Sequence, residues 1–280
     1  MKGDLCVEHM LLNKNCIITG SGRGIGRATA LLFAQEGGRI VVCDLDEGPA
    51  NQVVKEINAS GGQAVACPGD ITDPAFPEQL IQTAIEAFGP NIDIIVNNAG
   101  YIWDAVIHNM SDEQWEAMLN IHITAPFRLI RAAAPYIREA AKKDIAAGKL
   151  VTRKIINIAS TAGLDGSASQ SNYASAKSAL IGFTKSLAKE WGPLNVCVNT
   201  VAFGFIETRL TQEKESKGLI ELKGQKVPVG IPAERREALK PLIPLRRLGT
   251  PEEGAGAVLL MASPLADYIS GEVLRVSGGK

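Results

Sequence analysis

Seven short, β-branched apolar runs recur along the chain, each separated from the next by a stretch of helical periodicity, and this alternation restricts the fold more than any other feature. The runs are 16–19, 39–43, 64–67, 92–96, 154–158, 196–199 and 273–276. Helical stretches are predicted over 25–36, 48–59, 74–88, 112–143, 172–190 and 251–262, several opened by Pro, Ser or Asp. Such an order specifies βαβ units in an α/β protein, with a parallel sheet of about seven strands buried on both faces. No linker, repeat or low-complexity tract divides the chain, so residues 1–280 are expected to form one domain, with an N-terminal extension over 1–12. Two segments depart from the alternation. Residues 140–153 suggest a helix extension and a surface loop, and 205–244 is long enough to be expected as a substrate lid.

Composition excludes several functional classes. With 46% hydrophobic and 21% charged residues the chain has ample core, and a formal net charge of -1 gives no global electrostatic reason to bind nucleic acid or an anionic membrane. The cysteines (Cys6, Cys16, Cys43, Cys67, Cys197) form no CxxC pair and no zinc-like His/Cys set, so they read as reduced thiols and no metal is expected. Asp4 and Glu8 interrupt the place where a signal peptide needs an apolar run, and no 18-residue apolar stretch follows. A cytoplasmic protein is expected.

The run Thr19-Gly20-Ser21-Gly22-Arg23-Gly24-Ile25-Gly26 lies directly after the first predicted strand and before a helix. There, backbone N–H groups can approach a pyrophosphate at the positive end of the helix dipole. Asp44 follows the second predicted strand, eighteen positions past Gly26, close to the interval at which a carboxylate meets the adenosine ribose. A carboxylate there favours NAD and repels a 2′-phosphate, whereas Arg23 can attract one, so NADP stays open. Helix capping is the plainer reading of Asp44. Tyr173 and Lys177 are spaced YxxxK on a predicted helix and share a face, with Ser160 thirteen positions before the tyrosine. In that arrangement the ammonium stabilises phenolate and makes the phenol a usable proton donor or acceptor. Taken singly, Ser160 reads as a turn residue, Tyr173 as a surface aromatic and Lys177 as a solvated charge.

In combination and order these motifs resemble the short-chain dehydrogenase/reductase family, from about Asn13 to Gly279. Gly20, Arg23, Gly24, Ile25 and Gly26 match the family's TGxxxGIG turn, Asp70 and Ile71 its adenine contact, and Asn98, Ala99 and Gly100 belong to its NNAG strand end. Ser160, Tyr173 and Lys177 match its catalytic serine and YxxxK, while Ile206 and Thr208 match residues that touch the nicotinamide carboxamide or a phosphate. The resemblance implies a doubly wound Rossmann-type fold in three α/β/α layers, and a homotetramer. It also implies hydride transfer between nicotinamide and a carbonyl or secondary alcohol, with Lys177 gripping the nicotinamide ribose.

The wording around Gln170 to Tyr173 and Gly204 to Thr208 is most similar to 3-oxoacyl thioester reductases, which implies a CoA- or carrier-protein-linked substrate. A dehydrogenase of a free secondary alcohol (steroid, sugar or cyclic alcohol) and a non-catalytic NAD-binding regulator are the alternatives. Two positions depart from the family. His122 stands where an asparagine is usual and is expected to join the proton relay, and Phe203 replaces a proline, which should loosen the following turn unless its ring packs.

Overall fold

The computed structural model describes residues 9–208, 219–222, 225–228, 230 and 233–280. Its first half alternates β1 (Asn15–Thr19), α1 (Gly24–Gln35), β2 (Arg39–Cys43), α2 (Glu47–Ala59), β3 (Gln63–Ala66), α3 (Phe76–Phe88) and β4 (Ile94–Asn97). The second half carries α4 (Asp112–Leu119), α5 (Ala125–Ala146), β5 (Arg153–Ser160), α6 (Ala162–Asp165), α7 (Ser171–Trp191) and β6 (Val196–Phe203). After these come β7 (Leu219–Leu222), β8 (Gln225–Pro228), α8 (Ala233–Leu239), α9 (Pro251–Ala262) and β9 (Val273–Val276).

Seven strands form one parallel sheet in the order β3-β2-β1-β4-β5-β6-β9. The sheet is buried on both faces because its strands carry apolar residues at successive positions rather than alternate ones. Ile18, Ile40 and Val42 pack with Phe33 of α1, Val53 and Ile57 of α2 and Val258 of α9 on one side. Ile17, Val41 and Ile95 pack with Leu80 of α3, Met118 of α4, Leu129 of α5 and Leu187 of α7 on the other. Each fully buried Ile or Phe contributes roughly 1.5–3 kcal/mol relative to exposure. The strand order reverses between β1 and β4, and a crevice opens there at the carboxyl ends of the strands.

Two elements differ from the sequence expectation in ways that matter for the site. The helix predicted over 112–143 is interrupted by a π turn, Asn120–Thr124, in which the Ala125 N–H reaches back five residues to the Asn120 carbonyl. Pro126 accounts for the break: it has no N–H, and in an unbroken α-helix its ring would press on the His122 carbonyl. Strands β5 and β6 run on to Ser160 and Phe203, pairing residue for residue to those ends. Both strands therefore deliver their last side chains to the crevice.

Only part of the expected extension and lid lies within the described residues. Of 1–12, the described end packs against the body: Leu11 is buried and its N–H donates to the Glu36 carbonyl (2.9 Å). Of 205–244, the described portion includes Phe205–Thr208, the antiparallel pair β7 and β8, and α8, while 209–218 and other short pieces fall outside.

Candidate active site

One cleft of about 1690 Å³ opens at the strand carboxyl ends, and every residue predicted for cofactor or substrate chemistry lines it. It is large enough for a dinucleotide plus a small substrate. At one end lies the glycine turn. Gly20 has φ +63°, and a Cβ there would sit 2.8 Å from the Ala99 Cα; a Cβ on Gly26 would collide with the Gly20 carbonyl oxygen. Only glycine lets β1, the turn and the end of β4 approach so closely. Helix α1 has no side-chain cap and no acidic residue in its first turn, so its amino end is left for an anion at Gly24, Ile25 and Gly26. The residues present thus fit a nicotinamide dinucleotide, with its pyrophosphate at this turn.

Asp44 does not cap α2, whose N-cap is Asp46. Its carboxylate accepts from the Gly22 N–H (2.8 Å) and the Asp46 N–H (3.2 Å), so it closes the glycine turn from the β2 side. Arg23 is turned onto the same carboxylates, 2.5 Å from Asp46 and 3.9 Å from Asp44. Asp70 is fixed by accepting from the Thr72 N–H (2.8 Å) and hydroxyl (2.6 Å), beside buried Ile71.

The sequence marks Asn98 as a cofactor contact and gives no sign of the hydrogen bonds by which it, Thr19 and Ser21 hold this end together. Thr19 Oγ1 accepts from the Asn98 and Ala99 N–H groups (3.0 Å each), and Asn98 Nδ2 donates to the Thr19 and Gly20 carbonyls (2.9 and 3.0 Å). Ser21 Oγ donates to the Ile18 carbonyl (2.7 Å) and accepts from the Cys43 N–H (3.1 Å). Small polar residues in a glycine run carry no periodic signal, so only the fold reveals these ties. Asn98 has a structural task here in addition to lining the cleft.

The other end gathers the hydroxyls and the amine. Ser160 ends β5, and Tyr173 and Lys177 lie one turn apart on α7. The Ser160 hydroxyl lies beside the Tyr173 phenol and favours its ionised form. Lys177 is buried, gives one N–H to the Ile158 carbonyl (2.6 Å) and lies 5.8 Å from the centre of the Tyr173 ring. Burial pushes the phenol up to about 12, opposed by the Ser160 hydroxyl and helped by Asp104, and it pushes Lys177 down to about 7. Helix α7 is seated by Asn172, whose amide donates to the Trp103 and Gln114 carbonyls (3.0 Å each) and whose oxygen accepts from the Tyr173 N–H (2.8 Å). Trp103 walls the cleft, as its place soon after Gly100 suggests.

Both departures from the family pattern are accommodated by packing. Phe203 is buried; its ring lies 3.5 Å from the Cβ position of Gly254, its carbonyl accepts from Thr161 (2.8 Å), and Gly204 continues the ladder to Val276 (2.9 Å). The turn that loss of proline was expected to loosen is held by this packing. His122 sits in the π turn, buried, edge-on to Tyr173 with ring centres 5.0 Å apart and Nε2 2.8 Å from the Tyr101 carbonyl. Burial and the nearby Lys177 charge hold its imidazole well below the usual range. Ile206 is buried beside Gly249, and the Thr208 side chain closes over Gly24. Among the described residues no His/Cys/Asp/Glu group is arranged to hold a metal ion, and no helix is long and apolar enough to cross a membrane.

Comparison with known proteins agrees with this geometry. The family model described as short chain dehydrogenase matches residues 14–218. The 3-oxoacyl-(acyl-carrier-protein) reductase FabG of Thermotoga maritima is 34% identical over 269 residues, covering 96% of this chain and 98% of that protein. Its Vibrio harveyi counterpart is 38% identical over 269 residues, with the same coverage. The short-chain reductase protein NovJ of Streptomyces niveus is 35% identical over 264 residues, 94% of this chain and 92% of its own. A cleft with a glycine turn at one end and a Ser/Tyr/Lys group at the other, matched over nearly the whole chain, places this protein in the short-chain dehydrogenase family, as an oxidoreductase that interconverts a carbonyl and its alcohol with a nicotinamide cofactor.

Proposed function

We propose that the chain reduces 3-oxoacyl thioesters, carried on coenzyme A or a carrier protein, with NADH as the preferred reductant. The observation that carries the reaction is the convergence of Ser160, Tyr173 and Lys177 at one end of a dinucleotide-sized cleft. The thioester class rests on the near full-length likeness to proteins named 3-oxoacyl-(acyl-carrier-protein) reductase.

The bound cofactor supplies hydride to the substrate carbonyl. Among the cleft-lining residues, Gly24, Ile25 and Gly26 would hold its phosphates, Asp70 and Ile71 would contact the adenine, and Ile206 and Thr208 would contact the nicotinamide side, as the family resemblance implies. Ser160 and Tyr173 donate to the carbonyl oxygen, and they stabilise it more as alkoxide charge develops than in the ground state. Tyr173 Oη then gives its proton to that oxygen. A phenol held up to about 12 is fully protonated at neutral pH, so the protein without cofactor is already set for reduction. Oxidation needs phenolate, and therefore needs added positive charge beside the ring.

The preference for NADH is argued from Asp44 and Arg23. Asp44 presents its carboxylate where the adenosine ribose would lie, and Arg23, the cation of the turn, is engaged by Asp44 and Asp46. A 2′-phosphate there would meet two carboxylates and would have to displace Arg23 from both. We place the enzyme in the cytoplasm as a homotetramer, following the family resemblance and its reduced thiols, of which Cys16, Cys43, Cys67 and Cys197 are buried and free.

A free secondary alcohol as substrate is the second reading. Asp104 lines the cleft close enough to act on Tyr173, and the similarity to the short-chain reductase NovJ spans nearly as much of the chain as that to the carrier-protein reductases. Acetoacetyl-CoA and acetoacetyl-carrier protein, compared with a panel of free ketones at fixed NADH, separate the two. A kcat/KM for thioesters at least tenfold above every free ketone supports the first, and the reverse order replaces it.

A further inference from the structure

We infer that Thr184 is a positioning residue: its hydroxyl pins the middle of α7 to a row of polar side chains on the sheet, and so fixes where Tyr173 and Lys177 stand relative to Ser160. This deepens the reading of the reaction given above and rests on it. The row runs straight across three strands. Asn97 of β4 is in register with Asn157 of β5, and Asn157 with Thr200 of β6. Asn97 Nδ2 donates to Asn157 Oδ1 (2.8 Å), Asn157 Nδ2 donates to Thr184 Oγ1 (2.8 Å), and the Thr184 and Thr200 hydroxyls share a hydrogen bond of 2.8 Å. All four side chains are buried, Asn157, Thr184 and Thr200 completely.

Each member of the row is aimed by another. An amide offers its oxygen and its NH2 to different partners, so the bond from Asn97 to the Asn157 oxygen turns the Asn157 NH2 toward α7. A threonine inside a helix commonly gives its hydroxyl back to the carbonyl four residues earlier, as Thr29 does to Ile25 (2.8 Å) and Thr83 to Gln79 (3.0 Å). Thr184 spends its hydroxyl on the sheet instead. Breaking that link would leave buried polar groups unpaired on helix and sheet alike, so the two are held at one relative position.

The pinned position lies directly under the chemistry. Thr184 comes seven residues after Lys177 and eleven after Tyr173, about two and three helical turns, so the three share one stripe of α7. Asn157 precedes Ile158, whose carbonyl accepts from Lys177, and Ser160 stands at the end of the same strand. The rest of the stripe is Ala176, Leu180, Leu187 and Trp191, all buried. Apolar packing is non-directional and lets a helix slide by small steps, whereas a row of hydrogen bonds does not. Asn172 holds the first turn of α7, and Thr184 holds its middle. A shift of 1 Å at reacting groups can cost about a hundredfold in rate. The row should therefore govern kcat far more than cofactor affinity, which rests on the glycine turn at the other end of the cleft.

The test uses Thr184→Val, which keeps the shape and removes the hydroxyl, Thr184→Ser, which keeps the hydroxyl, and Leu187→Ala, which loosens the same helix without touching the row. Rates are taken with whichever carbonyl substrate the wild type reduces, so that an error about the thioester leaves the test intact. Thr184→Val is expected to lower kcat by about tenfold to a hundredfold, with KM and the NADH dissociation constant within about threefold, and Thr184→Ser to stay within about threefold of wild type throughout. Leu187→Ala should lose at least as much stability in urea as Thr184→Val and yet keep kcat within about threefold. Independently of turnover, a crystal structure of Thr184→Val should show α7 displaced against β5 by about 0.5–1 Å. Full activity of Thr184→Val, an equal loss of kcat in Thr184→Ser or in Leu187→Ala, or an unmoved α7 would each overturn the inference. If Thr184→Val does not fold, Thr200→Val decides, since it removes the far end of the row and leaves the bond from Asn157 to Thr184 in place: a kcat lowered by about threefold to tenfold upholds the inference, and an unchanged kcat overturns it.

Discussion

The two ends of the cleft are built on opposite terms. At the glycine turn the polar side chains are satisfied within the protein: Thr19, Ser21, Asp44 and Asn98 all spend their hydrogen bonds on backbone, and Gly20 and Gly26 allow contacts that admit no larger residue. At the hydride end burial works against the polar groups. Lys177 is driven toward neutrality, the Tyr173 phenol away from ionisation, and His122 keeps a nitrogen without a protein partner. A site that only binds can be relaxed, whereas a site that moves protons keeps groups near the point of changing state. This contrast also weighs against a non-catalytic regulator, which would have no use for the second kind of end.

The largest effect should come from the hydride end. Tyr173→Phe removes one hydroxyl and is expected to lower kcat by about a thousandfold or more while NADH fluorescence titration gives an unchanged affinity. Near-normal turnover would mean that the two ends do not divide the labour in this way. At the other end, Gly26→Ala forces a methyl group against the Gly20 carbonyl, a backbone atom that cannot swing away. It should weaken NADH binding about a hundredfold and lower stability by roughly 1–3 kcal/mol in urea unfolding. Unchanged affinity would show that the turn is looser than its packing implies.

A smaller change is expected from Asp44→Ala. Removing the carboxylate should shift the NADPH/NADH ratio of kcat/KM upward by about tenfold to a hundredfold, since Arg23 then has one anionic competitor fewer. An unaltered ratio would assign Asp44 only the task of closing the turn on Gly22.

The smallest effect concerns stability and pH. Lys177 titrates near 7 in the folded protein against an ordinary value of 10.5, so between those values the unfolded chain holds a proton that the folded chain has released. Stability from this group therefore rises as pH climbs from about 7 toward 10, and levels off at its lowest below 7. Urea midpoints at pH 7 and 9 should show wild type gaining on Lys177→Met over that interval. Parallel behaviour would mean that the amine is not held near neutrality.

Much of this architecture was legible in the residues because it rests on local signals. The apolar runs mark all seven strands of the parallel sheet, and Ser160, Tyr173, Lys177 and the glycine turn fall into one cleft in the expected places. The missed features depend on contacts distant in sequence. The break in the long helix needs Pro126 to be weighed against the carbonyl four residues earlier, because apolar periodicity continues across the π turn. Asp44 is expected from the sequence as a ribose ligand, with capping as the plainer rival, and its bond to the Gly22 N–H, 22 positions away, is visible only in the fold. The packing that replaces a proline at Phe203 brings together β6 and α9, about fifty positions apart, which no window along the chain contains.

One comparison tests the central claim most directly: initial rates with NADH and NADPH, side by side, using acetoacetyl-CoA as acceptor and Tyr173→Phe as control. The account predicts turnover faster with NADH and abolished in the variant, with NADH still bound by it. NADPH as the faster reductant would contradict the role given to Asp44 and Arg23. Undiminished turnover in Tyr173→Phe would contradict the proton-transfer site itself.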